Sequence, residues 1–308
     1  MAIKYLKHSS VDKKKWNNCI ALSDNGMIYG FSWYLDSICD NWDALVLDDY
    51  TAIMPLPWKK KWGIKTIYQP YFCQQLGVFY LGNHDNIVQL FIEKIPFWFF
   101  KIAISFNTKC NLEGNYQKRI NHILPINMPY LTIAKSYKPD LARYLKKPLP
   151  FTFTTSVSVE TIIQFYIQFY QQKHPNISLS MYNKLATLCK ELALQNKLYI
   201  FGILNTEDQL IAFELGAYHH KTVHRILAGT HPDYKKHKLN HHLLDYIIGT
   251  HAQKYEYLDF EGSEIENIAY FNKKFNPIET YYSNLSYFNI LGYKFHNFSI
   301  LQQHKKRL

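Results

Sequence analysis

Acidic side chains alternate along residues 255–263, which read YEYLDFEGS. Successive side chains of a β-strand point to opposite faces, so Tyr257, Asp259 and Glu261 are expected to share one face. Two neighbouring carboxylates raise one pKa, which suits a general base or a site that binds an amine. Gly262 would allow a ligand to approach the backbone. The alternative is an edge strand with solvated acids.

A basic segment, HPDYKKHKLNHHLL at residues 231–244, leads into an expected helix. Free N–H groups and the positive end of the helix dipole favour anions there, and the lysines add charge. The sequence predicts an anion site at this turn, formed by Lys235, Lys236, Lys238, Leu239 and Asn240. A solvated helix start is the alternative.

Glu214 stands among apolar residues of an expected strand. A buried carboxylate without a partner is costly, so Glu214 either pairs with a base such as Arg225 or belongs to an acceptor pocket. Glu214 is therefore a candidate catalytic residue, and Arg225 is a candidate substrate-binding residue.

Amide and aromatic side chains cluster in residues 68–77, YQPYFCQQLG. Gln69, Gln74 and Gln75 suit the polar lining of a substrate cleft, although an ordinary loop has a similar composition. Cys73 has no supporting His or Asn arrangement, so we do not expect it to act as a nucleophile.

Metal ligation and export are not indicated. His237 and His241 are four residues apart, but no glutamate follows the first histidine and no further ligand is evident. The five cysteines form no C-x-x-C pair, and no signal peptide or membrane-spanning apolar run is recognisable. We expect reduced thiols, no metal and a cytoplasmic location.

The hydrophobic pattern of the second half predicts alternating elements. Two helices are expected to begin after Ser158 and Ser180, which are suitable N-caps. Three successive strands follow, at residues 198–204, 209–217 and 222–228. A helix at residues 238–253 and a strand at 255–261 then imply a right-handed parallel crossover. The last expected elements are a helix at 265–275 and strands near 280–288 and 293–300.

The first half shows a similar but weaker pattern. Strands are expected at residues 43–47, 51–56, 65–71 and 98–106, with a helix at 85–95 before the last of them. The sequence KKPLP at residues 146–150 interrupts helix and sheet alike, so we place the domain junction there. The predicted domains are residues 1–150 and 151–308.

Composition and charge agree with two folded domains. Hydrophobic residues make up 47% of the chain, which argues against extended disorder. Residues 1–150 hold 19 Lys and Arg against 11 Asp and Glu, a net charge of +8, so an anionic partner is expected. Residues 151–308 hold 11 of the 14 histidines, and their charge is expected to rise below about pH 6.5.

Several segments resemble the Fem-type (FemAB-like) family. KLNHHLL at residues 238–244 is similar to the family's g-A-n-x-L-L helix start, and YLDFEGS at 257–263 is similar to its y-D-F-g-G strand. Residues 265–275, which contain Phe271, resemble the i-x-x-F-K-x-x-F-G segment that follows. Residues 31–35 and 54–56 are similar to early strand segments of the family.

The resemblance implies an α/β (α+β) protein with two tandem GNAT-like domains, each a mixed, mostly antiparallel sheet flanked by helices. It implies an acyltransferase whose donor, acyl-CoA, binds at the basic turn and at Phe271, with a small-molecule or peptide amine as acceptor. Other members use aminoacyl-tRNA to extend peptidoglycan cross-bridges. A third alternative is an inactive GNAT-derived binding module. Leu239 replaces a small residue and Asn276 replaces a glycine of the family pattern, and the glycine-rich pyrophosphate loop typical of GNAT enzymes is absent.

Overall fold

The computed structural model describes residues 2–82, 86–110, 112, 116–173, 177–262, 264–290 and 293–296. The chain divides into two compact units: unit 1 comprises Met1–Arg119 and Tyr281–Leu308, and unit 2 comprises Ile120–Thr280. The proline-containing segment at residues 146–150 therefore lies inside unit 2, where Leu149 and Phe151 pack against the hydrophobic core. The units thus divide at positions other than the predicted junction.

The elements of unit 1, in chain order, are β1 (Ile3–Leu6), α1 (Lys13–Leu22), α2 (Ser32–Ile38), β2 (Asn41–Leu47), β3 (Ala52–Lys61), β4 (Ile64–Ile67), β5 (Phe79–Tyr80), α3 (Ile87–Glu93) and β6 (Phe99–Phe106). The chain passes between the units in β7 (Gln117–Pro125) and in β13 (Ile278–Ile290), and β14 (Tyr293–His296) follows.

Unit 1 has the strand order β1-β2-β3-β4-β6-β13. Strands β2, β3 and β4 form an antiparallel meander, and α3 then leads to β6, which runs parallel to β4. The predicted meander, helix and strand are therefore present. The expectation of an early strand at residues 31–35 was wrong, because residues 32–38 form α2 and bury Tyr34 and Leu35 on one helical face. The predicted start of α3 at residue 85 lies outside the described residues.

The remaining elements of unit 2 are α4 (Tyr130–Lys135), α5 (Pro139–Leu145), β8 (Thr152–Thr154), α6 (Val159–Tyr170), α7 (Leu179–Leu194), β9 (Leu198–Leu204), β10 (Leu210–His219), β11 (Thr222–Thr230), α8 (Leu239–His251), β12 (Tyr257–Asp259) and α9 (Glu266–Lys273).

Unit 2 repeats the topology of unit 1 in a longer form. Strands β9, β10 and β11 form an antiparallel meander, α8 crosses over, and β12 runs parallel to β11. The strand order is β7-β12-β11-β10-β9-β8. The predicted parallel crossover is confirmed, and two units with this shared motif are what the tandem fold requires.

Two hydrophobic layers hold the sheet of unit 2. Helix α8 buries its apolar face, including Leu243 and Ile247, in a core that also contains Phe201 and Leu258. On α6, Phe165 packs edge-on against Phe213 of β10, with ring centroids 5.4 Å apart. Burying such side chains contributes about 1.5–3 kcal/mol each, which fixes the strands that carry the candidate site.

Serine residues stand at the N-caps of α6 and α7. Ser158 caps α6 as predicted, because its hydroxyl accepts a hydrogen bond from the Thr161 N–H. Helix α7 begins after Ser178 rather than Ser180, so the predicted cap was two residues late. The predicted final strand ends at His296 within the described residues, and residues 297–300 lie outside them. None of the helices within the described ranges is long and apolar enough to cross a membrane.

Candidate active site

Strands β11 and β12 diverge within the sheet of unit 2. They pair in parallel at three positions only, the last being His224 with Asp259. Strand β12 then ends, whereas β11 continues to Thr230 along β10. From Arg225 onward, the edge of β11 that faces β12 has no strand partner among the described residues. An extended chain with amide groups can hydrogen-bond to such an edge.

The backbone after β12 turns out of strand geometry. Glu261 has φ +54 and Gly262 has φ +29, so the predicted alternation ends at Asp259. A Cβ atom at Gly262 would lie 2.3 Å from the Ile120 carbonyl oxygen. A glycine is therefore required at position 262 because β7 approaches the backbone closely. The sequence suggested the approach of a ligand as the reason for this glycine, whereas the structure shows a contact within the chain. Ser263 lies outside the described residues.

The carboxylate of Asp259 is buried at the point of divergence, with 3% of the residue exposed. Its Oδ1 accepts hydrogen bonds from Asn121 Nδ2 at 3.0 Å and from the Glu261 N–H at 2.8 Å. Its Oδ2 lies 3.7 Å from Nδ1 of His224. Burial lowers the pKa of His224, so this imidazole is neutral at pH 7. Asp259 is thus held rigidly beside a neutral histidine.

Glu261 does not lie beside Asp259 on a strand face, as the sequence predicted. Burial lowers the pKa of the Arg225 guanidinium, but Glu214, with smaller contributions from Tyr199 and then Glu261, outweighs burial and raises this pKa. Tyr257, the third residue of the expected face, has 43% of its surface exposed. The structure therefore separates the predicted trio into a buried, a half-buried and an exposed position.

Glu214 and Arg225 form a buried, bidentate ion pair. Arg225 donates from Nε to Oε1 at 2.7 Å and from Nη2 to Oε2 at 2.8 Å. The guanidinium also lies over the rings of Phe260 and Phe271, 5.5 and 5.6 Å from their centroids. Of the two alternatives for Glu214, the structure shows the pair with Arg225. Because both oxygens are occupied, the carboxylate stabilises the sheet where β11 leaves β12.

The basic turn joins β11 to α8. Residues Pro232–His237 form a 3₁₀ helix, and Lys238 has a left-handed conformation, with φ +43, before α8 begins. No side chain of a described residue caps α8, so its first N–H groups point out of the helix without a side-chain acceptor among those residues. Lys235, Lys236 and Lys238 are exposed. This arrangement favours an anion.

Two other residues of the turn have structural contacts. Leu239 is fully buried in the core, so its side chain is not available to a cofactor as the sequence suggested. Asn240 Oδ1 accepts a hydrogen bond of 2.6 Å from the Thr230 hydroxyl, which ties the start of α8 to the end of β11. The turn is consequently held in place from both sides.

Phe271 lies on α9 and packs against His241, with ring centroids 4.6 Å apart. Burial, followed by the charges of Lys238 and Lys274, lowers the pKa of His241 to about 4. His241 is therefore neutral near pH 7, and the positive charge at the turn comes from the lysines. Phe271 also lies under the Arg225 guanidinium, so this ring contacts both the basic turn and the ion pair of Arg225 with Glu214.

The predicted glutamines lie in unit 1 and bond within it. Gln69 donates to the Cys73 carbonyl at 2.7 Å and accepts from the Ser105 N–H at 2.9 Å. Gln75 donates to Gln74 Oε1 at 2.7 Å. Their amides hold the loop that follows β4, and a role for them in substrate binding stays a prediction.

Residues 140–266 match the family model of an acetyltransferase (GNAT) domain. These residues have the GNAT fold, and we refer to them as the GNAT domain. They contain the divergence of β11 and β12, the basic turn and Asp259.

Solved structures extend the likeness to the whole chain. FemX has a TM-score of 0.66 at 10% identity, over 95% of this chain and 98% of that one. A tandem GNAT protein from the clavulanic acid biosynthesis pathway has a TM-score of 0.59 at 10% identity, over 94% and 99%. Saccharomyces cerevisiae N-myristoyltransferase with bound myristoyl-CoA has a TM-score of 0.52 at 9% identity, over 93% and 79%. No curated protein matches by sequence. The tandem GNAT fold and its resemblance to Fem-type proteins are confirmed, and they support an acyltransferase.

Sequence reasoning missed two residues that lie against the candidate site, His224 and Asn121. Both contact Asp259, but one comes from β11 and the other from β7. The register of a parallel pair and the insertion of β7 beside β12 are not readable from hydrophobic periodicity. No group of three or more potential metal ligands occurs in the part of the chain that the structure describes.

Buried histidines make the stability of the GNAT domain depend on pH. Burial lowers the pKa of His224, His241, His242 and His251 below the ordinary value. The unfolded chain, with histidine pKa values near 6.5, then binds protons that the folded chain does not. These four residues contribute stability above about pH 6.5 that is lost as the pH falls, and in the folded chain these four residues gain their charge below that pH.

We expect the free energy of unfolding, measured by urea denaturation, to fall steadily from pH 7 to pH 5. His241→Phe should weaken this dependence, because it removes one of the protons taken up on unfolding. A flat profile in this range would show that the histidines titrate alike in both states.

Proposed function

We propose that the protein is an N-acyltransferase that moves an acyl group from acyl-CoA to an amine acceptor in its GNAT domain. The observation that carries this proposal is the divergence of β11 and β12 directly before an uncapped, lysine-rich helix start. A phosphorylated donor with an extended, amide-containing arm fits that combination.

The donor would bind along β11. Its phosphate groups would lie at the start of α8, near Lys235, Lys236 and Lys238, where N–H groups and ammonium groups favour anions. Its arm would follow the free edge of β11 at residues 226–229 towards Asp259. The acetyltransferase domain match and the likeness to a structure with bound myristoyl-CoA support acyl-CoA as donor.

The chemistry would take place at Asp259. Both of its hydrogen bonds go to Oδ1, so Oδ2 would accept the proton of the acceptor amine as nitrogen attacks the thioester carbonyl. N–H groups of the free β11 edge would polarise the carbonyl oxygen. The C–S bond then breaks, and the thiolate leaves and takes up the proton. Glu261 and Tyr257, at less buried positions, would contact the acceptor.

Aminoacyl-tRNA is the alternative donor. The net charge of +8 on residues 1–150 provides phosphate-binding potential for this donor, and the absence of glycines at the basic turn weakens the assignment of CoA. This donor predicts tRNA complexes whose affinity falls by orders of magnitude between about 50 and 200 mM salt. Peptidoglycan-type cross-bridge synthesis would then be the function.

Thermal-shift measurements with acetyl-CoA, longer acyl-CoAs and CoA test the proposal. A donor at 100 times its Kd should add about 2.7 kcal/mol to the free energy of unfolding. No shift with any CoA species, together with salt-sensitive tRNA retention on filters, would favour aminoacyl-tRNA. No response to either donor would leave the inactive binding module.

Removing the exposed lysines should weaken donor binding without affecting chemistry. In Lys235→Ala/Lys236→Ala, we expect KM for acyl-CoA to rise about tenfold with kcat unchanged, because these charges contact phosphate in ground and transition states alike. Lys190→Ala, on the exposed face of α7, is the matched control and should not change KM. A loss of kcat alone would place the lysines elsewhere in the mechanism.

A further inference from the structure

Unit 1 exposes a cluster of large aromatic side chains surrounded by lysines. It consists of the β3–β4 hairpin, residues 58–66, and the segment at residues 95–101. Trp62 is 88% exposed, Phe97 66% and Trp98 48%, and Ile64 and Phe100 are also exposed. Residues of these two segments, including Lys60 and Lys65, line a groove of about 530 Å³ together with Asn289. We call it the aromatic–lysine surface.

Trp62 is unfavourable for stability in two ways. It has φ +49 and precedes Gly63, with φ +82, at the tip of the hairpin, where asparagine and glycine are preferred. A bulky residue in this conformation costs about 1–3 kcal/mol, and the exposed ring gains nothing from burial. A residue that costs stability at an exposed tip indicates a binding role.

The charges of the surface have one sign. Lys59, Lys60, Lys61, Lys65 and Lys101 lie in the two segments, which contain no acidic residue and no arginine. Lys61 lies over the Trp62 ring at 4.7 Å and Lys65 over Trp58 at 4.0 Å. The long lysine side chains thus lie beside the aromatic rings, with the ammonium groups near the rings. The same arrangement occurs where aromatic rings enter an interface and lysine ammonium groups stay at its edge.

We propose that the aromatic–lysine surface docks on an anionic phospholipid bilayer. Tryptophan and phenylalanine partition into the headgroup region, and each lysine near an anionic leaflet strengthens attachment. A single-stranded nucleic acid would need ring faces open for base stacking, and arginine is the usual partner of its phosphates. Here Lys61 covers the exposed Trp62 ring and arginine is absent from both segments, so the bilayer fits better.

The test uses the full chain with vesicles of phosphatidylcholine, with and without phosphatidylglycerol. We expect co-sedimentation and a blue shift of tryptophan fluorescence with the anionic vesicles only, at about 0.1 M salt. Trp62→Asn keeps the net charge and should weaken binding about tenfold or more, because the ring no longer leaves water. Its thermal stability should stay equal or rise, since asparagine tolerates positive φ.

Two further variants separate the contributions. Lys59→Gln/Lys60→Gln should weaken binding about fivefold for each lysine removed. Leu194→Asn replaces a similarly exposed apolar residue of α7 and should leave binding unchanged. Absence of wild-type binding to anionic vesicles would overturn the proposal, as would equal binding by Trp62→Asn. Tight binding of an RNA oligonucleotide that Trp62→Asn abolishes, without vesicle binding, would also overturn it.

Discussion

Asp259→Asn is expected to lower kcat by about 10²–10⁴-fold, the usual contribution of a general base. Asparagine has the same shape, and its Oδ1 can still accept the bonds from Asn121 Nδ2 and the Glu261 N–H. The replaced Oδ2 is the atom proposed to take the proton from the amine. Donor binding and thermal stability should therefore change little while turnover is lost.

Asp245→Asn provides the matched control for this variant. Asp245 is another shielded carboxylate of the GNAT domain, and it accepts hydrogen bonds from Tyr130 and Tyr137. Its hydrogen bonds within the described residues go to Tyr130 and Tyr137 rather than to Asp259 or the basic turn, so turnover per folded molecule should be preserved. The rates are measured by release of the CoA thiol with an amine acceptor. Full activity of Asp259→Asn would refute the assignment of the base.

Periodicity was sufficient to predict the framework of the site. Strand β9 has the predicted bounds, and α8 lies within one or two residues of its predicted ends. These elements have strongly periodic apolar residues that pack on one core, so local pattern and tertiary structure agree. The parallel crossover followed from the order strand, helix, strand alone.

The details of the site depended on contacts between distant segments. Residues 120 and 121 leave no room for a Cβ at Gly262, and Glu261 and Gly262 both have positive φ. A strand prediction can include neither feature. Leu239 was placed in a cofactor site because of its position at a helix start, but the helical phase directs it to the core. Burial, rather than residue type, also decides the charge of His224 and His241.

Arg225→Met is expected to destabilise the GNAT domain by about 3–5 kcal/mol. Glu214 is only 1% exposed, and the substitution would remove both of the charge-assisted hydrogen bonds that Arg225 makes to its carboxylate. The remaining contact of Glu214 is a long one of 3.4 Å from the Tyr199 hydroxyl. A buried carboxylate left in that state costs more free energy than the lost ring contacts with Phe260 and Phe271.

Two variants measured by urea denaturation make this prediction specific. Glu214→Met/Arg225→Met removes both charges and should recover much of the loss, since a buried ion pair contributes little net stability over apolar side chains of similar size. Lys221→Met breaks the exposed pair between Lys221 and Glu256, whose side chains are 73% and 41% exposed, and should cost much less than Arg225→Met because water screens this pair. If Arg225→Met and Lys221→Met cost the same, the carboxylate of Glu214 must reach water in solution. The divergence of β11 and β12 would then be more open than the buried pair implies, and Glu214 would again be a candidate for the acceptor pocket.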